Sequence, residues 1–356
     1  MKDIRDVEKL DGVRVLVRLD LNVPVQNNVV VDDYRIRKSV PLIEYLQKKG
    51  AKIILISHIE TKDNPTLEPI SKYLNKLGVN CVFEKNYKKA LDSKEQILLL
   101  ENLRNYEGEK LNDKKFAKEL ASLGDIYVNE AFAVSHREHA SVCAITEFIP
   151  SYMGIQFNEE IKHLSSAFNP PHPFLFILGG AKFETKLPLI EKFVDIADKV
   201  FVGGALANNF FRELGKNIGS SLYSPQNFDL NRIINKNKVL LPVDSVLKGD
   251  AIMDCGMKTV EILRKEIEKA EYILWNGPLG AYESGYRAST LQLAEILAEA
   301  TVRGAKTVVG GGDTIATIAE LKLEDKFTFV STGGGAMLEY LAKGTLPGIE
   351  SLKKGN

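Results

Sequence analysis

Long apolar runs are missing from this 356-residue chain. The longest, 53-IILIS-57 and 174-FLFIL-178, fall far short of the roughly 20 residues a membrane helix needs. The opening MKDIRDVEKLDG shows no basic and then apolar leader, so a cytoplasmic location is expected. Net charge is missing too: Lys+Arg and Asp+Glu each number 47, which denies the chain a global field for nucleic acid or an anionic membrane and makes any anion site local. Cysteine is scarce. Cys81, Cys143 and Cys255 are widely spaced and form no C-x-x-C, which argues against a disulfide framework or a zinc site and favours small buried or half-buried side chains over a catalytic thiol. Familiar nucleotide fingerprints are also absent. There is no G-x-x-x-x-G-K-[ST], and neither 203-GGALAN-208 nor 310-GGGDTI-315 spells G-x-G-x-x-G. A protein kinase is excluded by 136-HRE-138 and the lack of D-F-G, and no heptad array or low-complexity tract occurs.

What the chain does contain is a βαβ grammar in two halves. A hydrophobic content of 44% over this length is too much for one ordinary core and enough for two. Apolar runs predict strands at 13–19, 52–57, 79–83, 96–100 and 125–128, then at 174–178, 199–203, 238–242, 271–275, 306–310 and 327–331. Most are continuous rather than alternating, as in parallel sheets covered on both faces. Between them helical periodicity predicts 35–50, 113–124, 184–197 and 289–304, several closed by glycine. The seam falls at 167-AFNPPHP-173, whose prolines forbid helix and strand alike, and 158–168 reads as a bridging helix. The expected fold is α/β: two open, mostly parallel sheets.

In such sheets ligands bind beyond the carboxyl ends of the strands. In the second half those ends carry 179-GGAK-182, 203-GGALANN-209, 276-NGPLGAYE-283, 310-GGGDT-314 and 332-TGGGA-336. Taken singly, a glycine pair is a tight turn and the Lys182/Lys186 pair a solvated helix face. Five such loops after successive strands point to one shared anion site, in which backbone N–H groups and helix N-termini meet phosphate. The first half ends its strands in 20-DLNVP-24, His58, 101-ENLR-104 and 129-NEAFAVSHREHAS-141, with Arg35 nearby in sequence. Arg35, Arg104, Arg137, His58 and His136 with few balancing carboxylates suit a small phosphorylated acid, and Asp20 and Asn22 suit its hydroxyl. Each arginine alone could equally be a surface ion pair, and each histidine a satisfied structural one.

The ordered strings 17-VRLDLNVP-24, 32-DDYRI-36, 101-ENLR-104, 179-GGAK-182 with Lys186, 241-LPVD-244, 275-WNGPLGAYE-283, 310-GGGDT-314, 331-STGGGAMLE-339 and 346-LPG-348 resemble the phosphoglycerate kinases over nearly the whole chain. The resemblance implies two Rossmann-like domains with mostly parallel sheets facing each other across a hinged cleft: an acid-binding domain at 1–157, a bridging helix and hinge at 158–172, a nucleotide domain at 173–335, and a segment 336–356 that returns to the first domain. It implies reversible phosphoryl transfer between 1,3-bisphosphoglycerate with ADP and 3-phosphoglycerate with ATP, by a monomer that closes on its substrates, with Mg2+ as cofactor. By position, Asp20, Asn22, Arg35, His58, Arg104 and Arg137 would serve the acid. Lys182, Lys186, Gly203, Gly204, Asn276, Pro278, Glu283, Gly310, Gly311, Gly312, Asp313 and Thr314 would serve the nucleotide, with Glu283 at the ribose and Asp313 on the metal. Arg35, Lys186, Gly311 and Gly334 would act on the transferring group. The acceptor is a carboxylate, already ionised near neutral pH, so no general base is required.

The chain departs from the family pattern in places. In 57-SHIETK-62, Glu60 stands for a glycine and Thr61 for a substrate-facing arginine, with Lys62 as the available substitute. Glu130 stands for an aspartate, Ala133-Val134-Ser135 for a glycine-led turn, and Ala205 for a third glycine. The altered 57–62 loop leaves a different phosphorylated acid open as acceptor. A non-catalytic nucleotide-binding descendant is disfavoured because Arg35, Lys186 and Asp313 are all present, and a dehydrogenase by the absent dinucleotide fingerprint.

Overall fold

Every apolar run predicted as a strand overlaps one in the computed structural model, which describes residues 1–60, 65–226 and 228–355. The chain divides into two compact units, Met1–Lys162 with Thr345–Asn356, and His163–Gly344. In the first unit β1 (Arg14–Arg18), β2 (Lys52–Ile56), β3 (Val82–Glu84), β4 (Ile97–Leu100), β5 (Ile126–Asn129) and β6 (Ser151–Met153) form one parallel sheet in the order β3-β4-β2-β1-β5-β6. In the second, β7 (Phe174–Leu178), β8 (Lys199–Val202), β9 (Val239–Leu240), β10 (Tyr272–Asn276), β11 (Lys306–Gly310) and β12 (Phe329–Ser331) run β9-β8-β7-β10-β11-β12, again all parallel. β4, β7 and β10 are buried at every position, which is why their sequences do not alternate.

The order reverses between β1 and β5 in one sheet and between β7 and β10 in the other. Those switch points open a crevice at the strand carboxyl ends, and the chemistry collects there. The helices that matter are α1 (Tyr34–Lys48), α2 (Ile155–Ser165), α3 (Phe183–Ile196), α4 (Gly204–Glu213), α5 (Gly312–Glu320), α6 (Gly335–Lys343) and α7 (Pro347–Lys354).

Three features differ from the sequence reading. Helix α2 begins at Ile155 rather than 158, because the buried Glu130 carboxyl group accepts from the backbone N–H groups of Gln156 (3.0 Å) and Phe157 (3.1 Å) and caps it from a distant loop. The division between units falls inside this helix, ahead of the proline seam. At the other end α6 belongs to the second unit, so the return starts at Thr345 rather than Ala336; α7 then joins the first unit, where the Gly348 N–H donates to Ser135 O at 2.9 Å.

Candidate active site

The carboxyl end of β1 turns two polar residues, Asp20 and Asn22, toward Arg35 in the first unit. Arg35, in the first turn of α1, donates from Nη1 to Asp20 Oδ2 (2.9 Å) and to the Asn22 carbonyl (3.4 Å), and Asn22 Oδ1 accepts the Glu60 backbone N–H at 2.9 Å. Beside them lies a second, buried group. Arg18 is fully enclosed; its Nε donates to Ser141 Oγ (2.9 Å), Nη2 to His58 Nδ1 (3.1 Å), and Nη1 to the Leu19 carbonyl. Its charge is balanced at one remove, since Ser141 Oγ donates to the buried Glu109 carboxylate at 2.6 Å.

Arg104 follows β4, and its side chain is only 6% exposed. Nη1 meets His139 Nε2 at 3.4 Å, whereas Nε and Nη2 are buried with no hydrogen-bond acceptor. Arg137, half exposed, donates from Nε to His136 Nε2 at 3.3 Å. Burial, then Arg18 and Arg104, push His58 far below the ordinary histidine range. His139 is pushed down to about 4 by burial and by Arg104 and Arg137. Both imidazoles are therefore neutral acceptors near pH 7, and burial also pulls the Arg104 guanidinium down. Of the three arginines only Arg104 keeps desolvated donors unfilled, since Arg18 is satisfied by Ser141, His58 and Leu19 and Arg137 is half exposed; such buried donors suit an anion better than those of a surface arginine.

Carboxylates are closer to this cluster than the sequence suggested. Asp20 pairs with Arg35, and Glu60 Oε1 lies 3.6 Å from Arg104 and 3.9 Å from Arg137. Lys62 and Thr61 lie outside the described residues. Arg18, His139, Glu109 and Ser141 were missed as site residues. The signal for Arg18 was present: an arginine inside a strand that both faces bury has to be there for its charge.

In the second unit the switch point between β7 and β10 is built of glycine. The Gly179 N–H donates to Asn276 O (2.9 Å), Gly180 to Pro278 O (2.8 Å), Gly203 to Leu178 O (2.9 Å) and Gly204 to Leu279 O (3.1 Å). These four N–H groups are thus occupied by the fold, not free for an anion. Gly277 shows why side chains are excluded: its φ is +91°, and a Cβ would lie 2.5 Å from Gly179 O and 2.7 Å from Lys186 Nζ.

Two helices begin further along the same edge. α5 and α6 have Gly311 and Gly334 as N-caps, residues with no side chain to cap with, and the Ala336 N–H in the first turn of α6 already donates to Gly333 O at 2.9 Å. Gly311 holds φ at +108° to turn the chain into α5, against the side chain of Asn276. Gly310 ends β11 against Met337, and the Gly333 N–H is taken by Ser331 Oγ at 3.1 Å. A Cβ on Gly312 would meet open space.

Lys186 and Lys182 have separate environments. Lys182 is the exposed N-cap of α3, whereas Lys186 is buried, donating from Nζ to Gly179 O at 2.5 Å. Burial pulls the Lys186 ammonium down to about 8, helped by repulsion from Lys182 and opposed by Asp313. Asp313 in turn is raised by burial and by Glu283, with Lys186 opposing. Thr314 is buried and accepts the Gly277 N–H at 3.0 Å, which ties α5 to the β10 loop. Lys186, Asp313, Glu283, Asn276 and the two uncapped helix starts thus come together on one edge.

Two doubly wound units, one with buried unfilled guanidinium donors and one with a buried lysine before bare helix N-termini, define an enzyme that handles phosphoryl groups. Comparison with known proteins narrows this. A family model described as phosphoglycerate kinase matches residues 4–344. The chain is 41% identical to the phosphoglycerate kinase of Dictyoglomus turgidum over 99% of its own length and 98% of the relative's, and 40% identical to that of Thermosipho africanus over 98% and 97%. The solved phosphoglycerate kinase of Coxiella burnetii is 31% identical and superimposes with a TM-score of 0.86, covering 99% of this chain and 98% of that one. The chain belongs to the phosphoglycerate kinase family, and it is a phosphotransferase that uses ATP and ADP as co-substrates.

Proposed function

We propose that the first unit binds 3-phosphoglycerate, the second binds Mg-ATP, and the phosphoryl group passes directly and in line between them. The observation that carries this reading is the enclosed Arg104, with Nε and Nη2 lacking acceptors inside a group of neutral histidines and further arginines. Buried polar groups are almost always satisfied, so two orphaned guanidinium nitrogens mark the position of a missing anion. Arg104 and Arg137 would take its phosphate, with His58 as a neutral partner that Arg18 orients. Asp20 and Asn22 would hold the hydroxyl, and Arg35 would stabilise the transferring group.

On the nucleotide side Lys182 and Lys186 supply positive charge. The N-termini of α5 and α6, at Gly311, Gly312 and Gly334, supply N–H donors. Glu283 would hold the ribose, and Gly203, Gly204 and Pro278 would line the base. In the forward chemistry a carboxylate oxygen of 3-phosphoglycerate bonds to the γ-phosphorus of ATP as the bond to the β,γ-bridging oxygen breaks and ADP leaves. No proton has to move, because the carboxylate is already ionised. The charge that spreads over the equatorial oxygens is met by Lys186, Arg35 and backbone N–H groups.

Magnesium fits the donor set. No group of three potential ligands occurs among the described residues, but Asp313 stands in the first turn of α5 with Glu283 near enough to raise it. Mg2+ commonly takes one or two protein carboxylates and completes its shell with phosphates and water. Asp313 would hold it, with Lys186 favouring the ionised carboxylate, and the ion would supply positive charge against the phosphates.

No helix among the described residues is long and apolar enough to cross a membrane. We place the enzyme in the cytoplasm as a monomer acting on small molecules, not nucleic acid. The test is a coupled assay of ATP-dependent phosphorylation of 3-phosphoglycerate, with Mg2+ and with EDTA, beside Arg35→Ala. Activity that needs Mg2+ and collapses in the variant supports the reading; a folded wild type that binds Mg-ADP but leaves 3-phosphoglycerate untouched contradicts it.

A further inference from the structure

The arginine cluster of the first unit already has an anion beside it. Glu60 follows β2, and its backbone is pinned from two sides. Its own N–H donates to Asn22 Oδ1 at 2.9 Å, while the preceding residue, Ile59, exchanges two hydrogen bonds with the buried Asn102 side chain (3.2 and 2.9 Å). The main chain leading into Glu60 is thus held by Asn22 and Asn102. The Glu60 carboxylate, 50% exposed, reaches back so that Oε1 lies 3.6 Å from Arg104 Nη2 and 3.9 Å from Arg137 Nη1.

Those distances are informative. A built ion pair in this unit closes to hydrogen-bonding range, as Asp20 does on Arg35 at 2.9 Å and Asp3 on Arg5 at 2.6 Å. Glu60 stops short of that. It supplies charge to two arginines, yet Arg104 Nη2 keeps no hydrogen-bond acceptor. A counter-ion that neutralises without filling the donor sites, on an exposed side chain, can be displaced by a ligand that fills them.

We propose that Glu60 is a resident competitor for the anion site: it lowers the affinity of Arg104 and Arg137 for the acid substrate and discriminates against small free anions. The proposal rests on the assignment of this cluster as the acid site. A bare inorganic phosphate must displace the carboxylate using the arginines alone. A phosphorylated hydroxy acid also gains the Asp20, Asn22 and Arg35 group next door and so offsets the displacement. Glu60 acts through its effect on Arg104 and Arg137, which makes it a specificity and positioning residue, not a catalytic one.

The test is Glu60→Gln, which keeps the size of the side chain and the backbone bond to Asn22. KM for 3-phosphoglycerate, KM for ATP and the inhibition constant of inorganic phosphate against 3-phosphoglycerate would be measured at low and high ionic strength, beside Arg104→Gln. Two half-screened pairs set the expected scale: KM for 3-phosphoglycerate falls about three- to tenfold, the phosphate inhibition constant falls further, KM for ATP does not move, and added salt shrinks the differences. An unchanged or raised KM for 3-phosphoglycerate in Glu60→Gln, with the expected rise in Arg104→Gln, overturns the proposal and leaves the acid site standing. No change in Arg104→Gln removes the acid-site assignment and the proposal with it.

Discussion

Replacing Lys186 by methionine should make the unliganded protein more stable while disabling the enzyme. The reasoning starts from an ammonium group buried beside Gly179 and Gly277, whose pKa falls from the ordinary 10.5 to about 8. A depression of that size corresponds to about 3 kcal/mol held against the charged native state. The hydrogen bond from Nζ to Gly179 O returns about 1 kcal/mol, and methionine fills a similar volume without charge. The net gain of about 2 kcal/mol corresponds to a rise of roughly 4–8 °C in the melting of a unit of this size. The pH dependence has a definite sign. Because the folded pKa lies below the unfolded one, the native state loses its proton first, and the unfolded chain binds more protons between pH 8 and 10.5. Wild-type stability therefore climbs across that window, and the gap to the variant closes. Calorimetric scans from pH 7 to 10 read the stability, and the coupled assay reads a fall in kcat of about a hundredfold or more. A variant that melts below wild type at pH 7, with a pH-independent difference, would refute the claim that the fold holds this lysine at a cost for the sake of its charge.

Other residues give independent checks. Gly277→Ala forces φ of +91° on a residue with a Cβ, 2.5 Å from Gly179 O, and should cost at least about 2 kcal/mol in thermal melts together with nucleotide binding. Burial raises the Glu130 carboxyl from 4.5 to about 8, so its contribution is complete below the unfolded pKa and lost as pH climbs toward 8. The melting temperature of wild type should accordingly fall between pH 5 and 8, and Glu130→Gln should flatten that fall. Asp313→Asn should raise the Mg2+ concentration needed for half-maximal rate at least about tenfold while leaving KM for 3-phosphoglycerate in place.

The sheets were legible because parallel strands covered on both faces must be continuously apolar, as 97-ILLL-100 and 174-FLFIL-178 are. β6 was not, since three residues after Pro150 leave no run to read, and pairing with β5 alone makes them a strand. The start of α2 was hidden for a similar reason: its cap is Glu130, a residue 26 positions upstream of Gln156. Candidate site residues were legible where they stood just past a strand, as Asp20 and His58 do, or opened a glycine loop from the strand's last residue, as Asn276 does. Arg18 was passed over because it sits within the strand, and His139 because a histidine alone says nothing of the arginines that surround it. The glycine loops were read as one class, whereas the structure separates Gly179, Gly180, Gly203 and Gly204, whose N–H groups join neighbouring loops, from Gly311 and Gly334, which start uncapped helices. Spacing cannot make that distinction, which depends on which strands are adjacent.

The central claim is that the acid and the nucleotide are bound by different units, through Arg104 in one and Lys186 in the other. Titration calorimetry of 3-phosphoglycerate and of Mg-ADP into wild type, Arg104→Gln and Lys186→Met tests it directly. The account predicts that Arg104→Gln weakens 3-phosphoglycerate at least about tenfold with Mg-ADP unchanged, and that Lys186→Met weakens Mg-ADP with 3-phosphoglycerate unchanged. Loss of both ligands in one variant, or of neither in both, would contradict it.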